Sequence, residues 1–385
     1  MTNSIEEVSI EKTRERLRAA MPVARKWAYF DHAAVAPLTQ PTTDAISKWL
    51  SQASEEGDTT WLEWAAELSA CRKSAAELIG AGEESIALVP NTTVGINLVA
   101  EGLDWRPGDN VVTLADEFPT NLYPWMNLEK RGVSTRLVPT DNGRVTPEQI
   151  AEYCDTRTRV VSVSWVCYSN GCRRPLKPIA DIAHEYGALF LVDAIQGLGV
   201  FPLDVNADEI DVLSADGHKW LLGPEGAGIA YIHPGWLERL EPIGVGWNSV
   251  TNAGNFDQIQ LTLKSTAARY EGGTYNMAGF IGLAASLKLL MSLGVENISA
   301  AILDFTDMAC DQLVAAGAVV HSPREGSNRS GIVSFEMPGR DPQQIRKDCL
   351  AQGVALNCRA GRLRLSAHAY NTIPDLNRLL NVLRR

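Results

Sequence analysis

The chemically sharpest stretch of this 385-residue sequence is Asp216-Gly217-His218-Lys219-Trp220-Leu221-Leu222-Gly223-Pro224, a polar cluster set just beyond an apolar run. A lysine followed by so apolar a segment is not an ordinary solvated loop lysine. Held in an apolar pocket, it loses part of its preference for the charged form, as a Schiff-base lysine must. Upstream, the apolar run Leu191-Val192 ends in Asp193, followed by Ala194-Ile195-Gln196. Ligands sit at the carboxyl ends of strands in open parallel sheets, so Asp193 is well placed, with a helix N-cap as its bland reading. Together the two suggest a lysine for a cofactor's aldehyde and an acid for its pyridinium nitrogen. In Pro90-Asn91-Thr92-Thr93-Val94-Gly95 two hydroxyls open an apolar-periodic helix after a strand. Free amides at that helix start would hold a phosphate, with Thr92 and Thr93 adding donors. Plain capping by a threonine is the alternative. There is no Walker lysine and no G-x-G-x-x-G fingerprint, which disfavours nucleotide binding.

These residues need an α/β frame, and the chain supplies its rhythm. Short apolar runs alternate with amphipathic segments, and seven of them read as strands: Ser85 to Val89, Asn110 to Leu114, Thr135 to Val138, Arg159 to Val166, Ala188 to Asp193, Val212 to Ala215 and Ala227 to Ile232. Several are apolar without alternation, as expected of a sheet covered by helices on both faces. The predicted architecture is one seven-stranded, mostly parallel sheet in a large domain over residues 22–290. A Gly- and Asn-rich seam follows Tyr231. A smaller α/β domain then spans residues 291–385, with strands at Ala318 to His321, Gly331 to Glu336 and Arg362 to Ser366, completed by an N-terminal helix within residues 1–21. Trp247, in GVGWNSV at the seam, is expected to wall the substrate pocket or to plug an interface.

Composition narrows the function. The net charge of −11 leaves no general cationic field for nucleic acid or an anionic membrane. No apolar run approaches a membrane span and the N-terminus lacks a signal-peptide core, so a cytosolic enzyme of small molecules is expected. Seven scattered cysteines argue against a disulfide framework, and Cys167 and Cys172 lack the second ligand pair of a structural zinc site.

Taken together, the three stretches resemble the class V aminotransferase family of pyridoxal-phosphate (PLP) enzymes of fold type I, a group that includes cysteine desulfurases and cysteine/cystine lyases. The likeness runs from Tyr29-Phe30-Asp31-His32-Ala33-Ala34 to Arg364-Leu365-Ser366-Ala367-His368-Ala369-Tyr370-Asn371-Thr372. The resemblance implies that Lys219 forms the Schiff base and moves the α-proton, that Asp193 keeps the pyridine nitrogen protonated, and that Gln196 bonds the phenolic oxygen. It further implies Asn170 beside that oxygen and the substrate carboxylate, Thr93 and His218 on the phosphate, and Thr274 reaching the phosphate of a partner subunit in a homodimer with shared sites. Arg364 would grip the substrate α-carboxylate, where a guanidinium fork makes two parallel hydrogen bonds.

Three departures bear on the reaction. Cys358 lies just before Arg364, as though the mobile loop that carries the desulfurase nucleophile were deleted. Phe118 stands where that group stacks a histidine on the cofactor ring, so proton traffic falls to Lys219. Asp216 stands where a hydroxyl usually meets the phosphate; it either turns aside to orient His218 or the phosphate cup is built differently. The leading expectation is an aminotransferase acting on a small α-amino acid. A carbon-sulfur lyase or desulfurase is the alternative, with His32 or Tyr123 as a general acid near the β-substituent, and an epimerase or racemase is the third outcome.

Overall fold

The computed structural model describes residues 10–385. Thirteen strands appear among them: β1 (Ala28–Tyr29), β2 (Ile86–Val89), β3 (Asn110–Leu114), β4 (Ser134–Val138), β5 (Thr158–Ser164), β6 (Leu189–Asp193), β7 (Val212–Asp216), β8 (Gly228–Ile232), β9 (Val319–Val320), β10 (Ile332–Glu336), β11 (Val354–Ala355), β12 (Asn357–Arg359) and β13 (Arg362–Ser366). β2 to β8 are the seven strands expected from the sequence, and they form one sheet in the order β2-β8-β7-β6-β5-β3-β4. Only β8 runs against its neighbours. β2 therefore points the same way as β7, and its C-terminal end lies on the same edge as those of β5, β6 and β7. That edge carries the site.

β5, β6 and β7 are buried almost throughout, as a sheet covered on both faces requires. One core holds Val161, Val163, Phe190, Val192 and Leu213 against residues of the helix Met277–Leu293; another holds Leu189, Leu191 and Val212 with Ile96 and Val99 of the helix Thr92–Gly102.

The small domain is built on the four-stranded sheet β12-β13-β10-β9. Its core also takes in Ala28 and Phe30, and β1 pairs in parallel with β11. Residues 28–30 thus pack with the small domain, although the sequence reading assigned everything from residue 22 to the large one. The expected N-terminal helix is present as Ile10–Ala19, and residues 1–9 lie outside the described residues. It is tied to the C-terminal part of the chain by Arg14–Asp304 and Arg18–Asp375 ion pairs. Among the described residues no single helix is long and apolar enough to cross a membrane.

Candidate active site

A cleft of about 340 Å³ opens at the C-terminal edge of the large sheet. Its lining includes Thr92, Thr93, Phe118, Asp193, Gln196, Asp216, His218, Lys219 and Arg364, nine of the residues singled out in the sequence. Asp193 is the last residue of β6, and Asp216 that of β7. Lys219 stands in the turn after β7, its backbone carbonyl accepting from the Leu222 amide. The helix Thr92–Gly102 follows β2 and is capped by Asn91, whose side chain accepts from the Val94 amide.

Lys219 is 9% exposed, and burial lowers its pKa to about 8 against the attraction of Asp193. Nζ lies 5.6 Å from the centre of the Phe118 ring, which meets Tyr168 edge-on at 5.2 Å. Burial pushes Asp193 up; the Ile195 amide, donating to Oδ1 at 3.0 Å, and nearby Lys219 pull the other way. Glu117 adds to the upward push on Asp193. Glu117 is itself held in the interior by the Ser164 amide at 2.7 Å and by Arg174 at 3.5 Å.

Arg364, on β13, comes into the cleft from the small domain. Its Nη1 donates to the Tyr168 carbonyl at 2.8 Å and its Nη2 approaches Asp31 at 3.4 Å, while Nε has no protein partner. Asp216 Oδ2 lies 3.0 Å from His218 Nδ1, off hydrogen-bonding alignment, and Oδ1 is buried without a partner. Of the two arrangements open for Asp216, the structure has it beside His218 and still lining the cleft.

Five expected residues lie elsewhere. His32 is fully buried: Nδ1 donates to the Ser366 carbonyl and Nε2 accepts from Tyr370, each at 3.0 Å, and burial lowers its pKa to about 3. At this point of the chain Asp31 turns toward Arg364 and His32 turns into the core, so Ala33, Ala34 and Val35 wall the cleft instead. Asn170 spends its side chain on its own turn, accepting from the Cys172 amide at 2.9 Å and donating to Asn142 at 3.2 Å. This Asx-type bond beside the left-handed Gly171 holds it away from the cleft. Trp247 lines a separate cavity with Val250, Phe256 and Leu261. Thr274 is exposed ahead of the helix Met277–Leu293. Tyr123, a second general-acid candidate, is exposed and outside the cleft.

The sequence reading missed Tyr168, Thr120 and Arg359 in the lining. Arg359 had a signal. Ala360 and Gly361 both take positive φ, 48° and 73°, forming a two-residue hairpin turn that pairs Arg359 with Arg362 and Asn357 with Arg364. Recognising that turn would have put Arg359 on the same face as Arg364.

The donor set fits pyridoxal phosphate. Thr92 Oγ1 is buried without a partner at a helix start, where a phosphate is favoured, and His218 shares the cleft lining with it. Phe118 offers an aromatic face, Asp193 a buried carboxyl and Lys219 an amine of lowered pKa.

Fold and cleft together define a fold-type I PLP enzyme, and the sequence matches the family Aminotransferase class-V over residues 28–379, to which the chain belongs. Among curated relatives it is similar to a probable cysteine desulfurase of Methanothermobacter thermautotrophicus, 31% identical and covering 95% of this chain and 96% of the relative. Among solved structures it is similar to the apo cysteine desulfurase of Thermococcus onnurineus, with a TM-score of 0.87 and 25% identity over 96% of this chain and 97% of that one. A C-DES variant with glycine covalently linked to its PLP cofactor shares the fold, with a TM-score of 0.89 at 24% identity over 95% and 98% of the two chains.

Proposed function

We propose that the chain is a PLP-dependent carbon-sulfur lyase acting on a small, cysteine-like α-amino acid and releasing its sulfur as free sulfide or thiol. The observation that carries this release is Cys358. It is 9% exposed, donates to the Pro342 carbonyl at 3.3 Å, and burial raises its pKa. A thiol so placed is a poor nucleophile. The whole-chain similarity to a probable cysteine desulfurase supports chemistry at a β-carbon bearing sulfur. This reading replaces the aminotransferase as the leading one.

The cofactor would be held by Thr92, Thr93 and His218 at its phosphate, by Phe118 across its ring, by Asp193 at its nitrogen and by Lys219 at its aldehyde. When bound, PLP supplies an electron sink for the α-carbon. Arg364 would orient the substrate carboxylate, with Asp31 and the Tyr168 carbonyl fixing the guanidinium. Lys219 Nζ would take the α-proton. The Cβ–S bond then breaks with its electron pair leaving on sulfur, and hydrolysis of the three-carbon fragment by one water yields pyruvate and ammonia. Because Phe118 cannot titrate, Lys219 handles the protons.

The same feature favours a second reading, transamination, in which Lys219 serves both the α-carbon and the cofactor carbon. A single-turnover experiment separates the two. The loaded enzyme is mixed in turn with alanine, glutamate, aspartate, serine and cysteine, and keto acid and sulfide are followed. Continuous pyruvate and sulfide from cysteine supports the lyase. One equivalent of keto acid with conversion to the pyridoxamine form makes it an aminotransferase.

The exposed apolar side chains Val245, Trp247, Phe256, Ile259 and Leu261, with exposed Thr274 outside its own cleft, support a homodimer in which Thr274 serves the partner's phosphate. Light scattering that returns a monomer mass of 41.9 kDa would remove this element.

A further inference from the structure

Trp220 follows Lys219 directly, yet its indole is almost wholly buried and turned away from solvent. Its Nε1–H donates to Gln196 Oε1 at 2.8 Å. The other end of the Gln196 amide donates from Nε2 to the Ala33 carbonyl at 3.1 Å. An indole nitrogen can only donate and a backbone carbonyl can only accept. The two contacts therefore admit one orientation of the amide. Nε2 carries two hydrogens, and no protein acceptor takes the second among the described residues. Gln196 lines the cleft, so that orientation offers a donor to a ligand.

The indole is itself gripped from the small domain. A Cβ added at Gly331 would come within 2.5 Å of the ring, a closeness only glycine permits. The His368 imidazole stacks on it at 6.0 Å. His368 Nδ1 accepts the Ala369 amide, so Nε2 is the protonated nitrogen, and it donates to the Trp220 carbonyl at 3.2 Å. Neither the side chain nor the backbone of Trp220 is free to turn.

We infer that Trp220 is a positioning residue for the cofactor: it locks the Gln196 amide with its N–H toward the cleft, so that Gln196 donates to the phenolic oxygen of the bound pyridoxal group. The inference rests on the PLP reading of the cleft and on Gln196 as the donor to that oxygen. A donor stabilises the phenolate, and its loss makes the phenolate more basic.

The test is the pH midpoint of the visible absorbance of the loaded enzyme, with the cofactor dissociation constant as a second readout. Gln196→Ala is expected to raise the midpoint by about one pH unit, the scale of a hydrogen bond to a charged oxygen. Trp220→Phe is expected to raise it by part of that amount. The double variant should match Gln196→Ala alone, because Trp220 acts only through Gln196. Both single variants should weaken cofactor binding. A Trp220→Phe midpoint equal to that of the parent, or a double variant whose shift is the sum of the two, overturns the role of Trp220. An unmoved Gln196→Ala midpoint overturns the assignment of Gln196 itself, and the inference with it. Should Trp220→Phe fail to fold, benzothienylalanine at position 220 keeps the ring and replaces only N–H by sulfur. The same midpoint shift is then required of it, and an unchanged midpoint counts against the proposal equally.

Discussion

Arg364 Nη2 lies 3.4 Å from Asp31 Oδ1, an ion pair that bridges 333 residues of chain and seats a guanidinium at the rim of the cofactor cleft. Burial pulls Arg364 down to about 10, against Asp31. It therefore stays charged at neutral pH. With Nε unpartnered, it keeps donors for a substrate carboxylate. Arg364→Ala is expected to raise KM for amino acids by about 10- to 100-fold, the worth of charge-assisted hydrogen bonds. Arg364→Lys should fall between, since an ammonium lacks the planar fork. An unchanged KM would take Arg364 out of the carboxylate role.

Lys219→Ala should abolish the borohydride-fixable attachment of PLP to the chain and lower turnover by roughly 10³-fold or more, the scale of losing a general base as well as a covalent attachment point. The wild-type apoenzyme gives a finer test. Only the neutral amine attacks an aldehyde, and burial lowers Lys219 to about 8. The rate of cofactor capture should rise with pH and level off above about 8. A midpoint near the ordinary lysine value would contradict the desolvated setting.

Cys358→Ser is expected to leave turnover within about twofold, because the thiol is buried and bonded to the Pro342 carbonyl, and a serine hydroxyl can make the same bond. The assay is sulfide release from cysteine. Loss of activity on the scale of a missing nucleophile would restore the enzyme-bound persulfide route.

His32 and His368 are buried and uncharged, their pKa values lowered by burial to about 3 and about 4 from an ordinary 6.5. The unfolded chain therefore binds more protons than the folded one between these limits. Stability is complete above about pH 6.5 and falls as pH drops toward 4, by about 1.4 kcal/mol per unit for each histidine. Urea midpoints across this window should show the slope. His368→Gln should remove about half of it, and an unaltered slope would mean that other groups set the acid limit.

Much of this was legible in the sequence because the signals were local. Most strands of the large sheet are short apolar runs, and two of them, β6 and β7, end in candidate cleft residues, Asp193 and Asp216. What escaped was set by contacts distant in sequence or by a single backbone turn. His32 looked like a cleft residue until Ser366 and Tyr370, more than 330 residues away, claimed both its nitrogens. The resemblance makes Asn170 a ligand, and nothing in YSNG shows that its side chain instead accepts from the Cys172 amide. Arg359 was missed because Ala360-Gly361 was not read as a hairpin turn. The expected large domain begins at residue 22, whereas Ala28 and Phe30 answer to β11, more than 300 residues away, and to the small-domain core.

That last pairing has a consequence in time. The wall formed by Ala33, Ala34 and Val35 hangs from β1, and β1 finds its partners at Val354 and Ala355, with Ser366 clasping Phe30 and Ala33. On the ribosome, at roughly 5 to 20 residues per second, the large sheet is fully synthesised well before those partners exist. This early-made wall of the cleft is thus fixed late, and a nascent chain bearing every residue of the lysine loop still lacks a closed pocket until Val354, Ala355 and Ser366 have emerged.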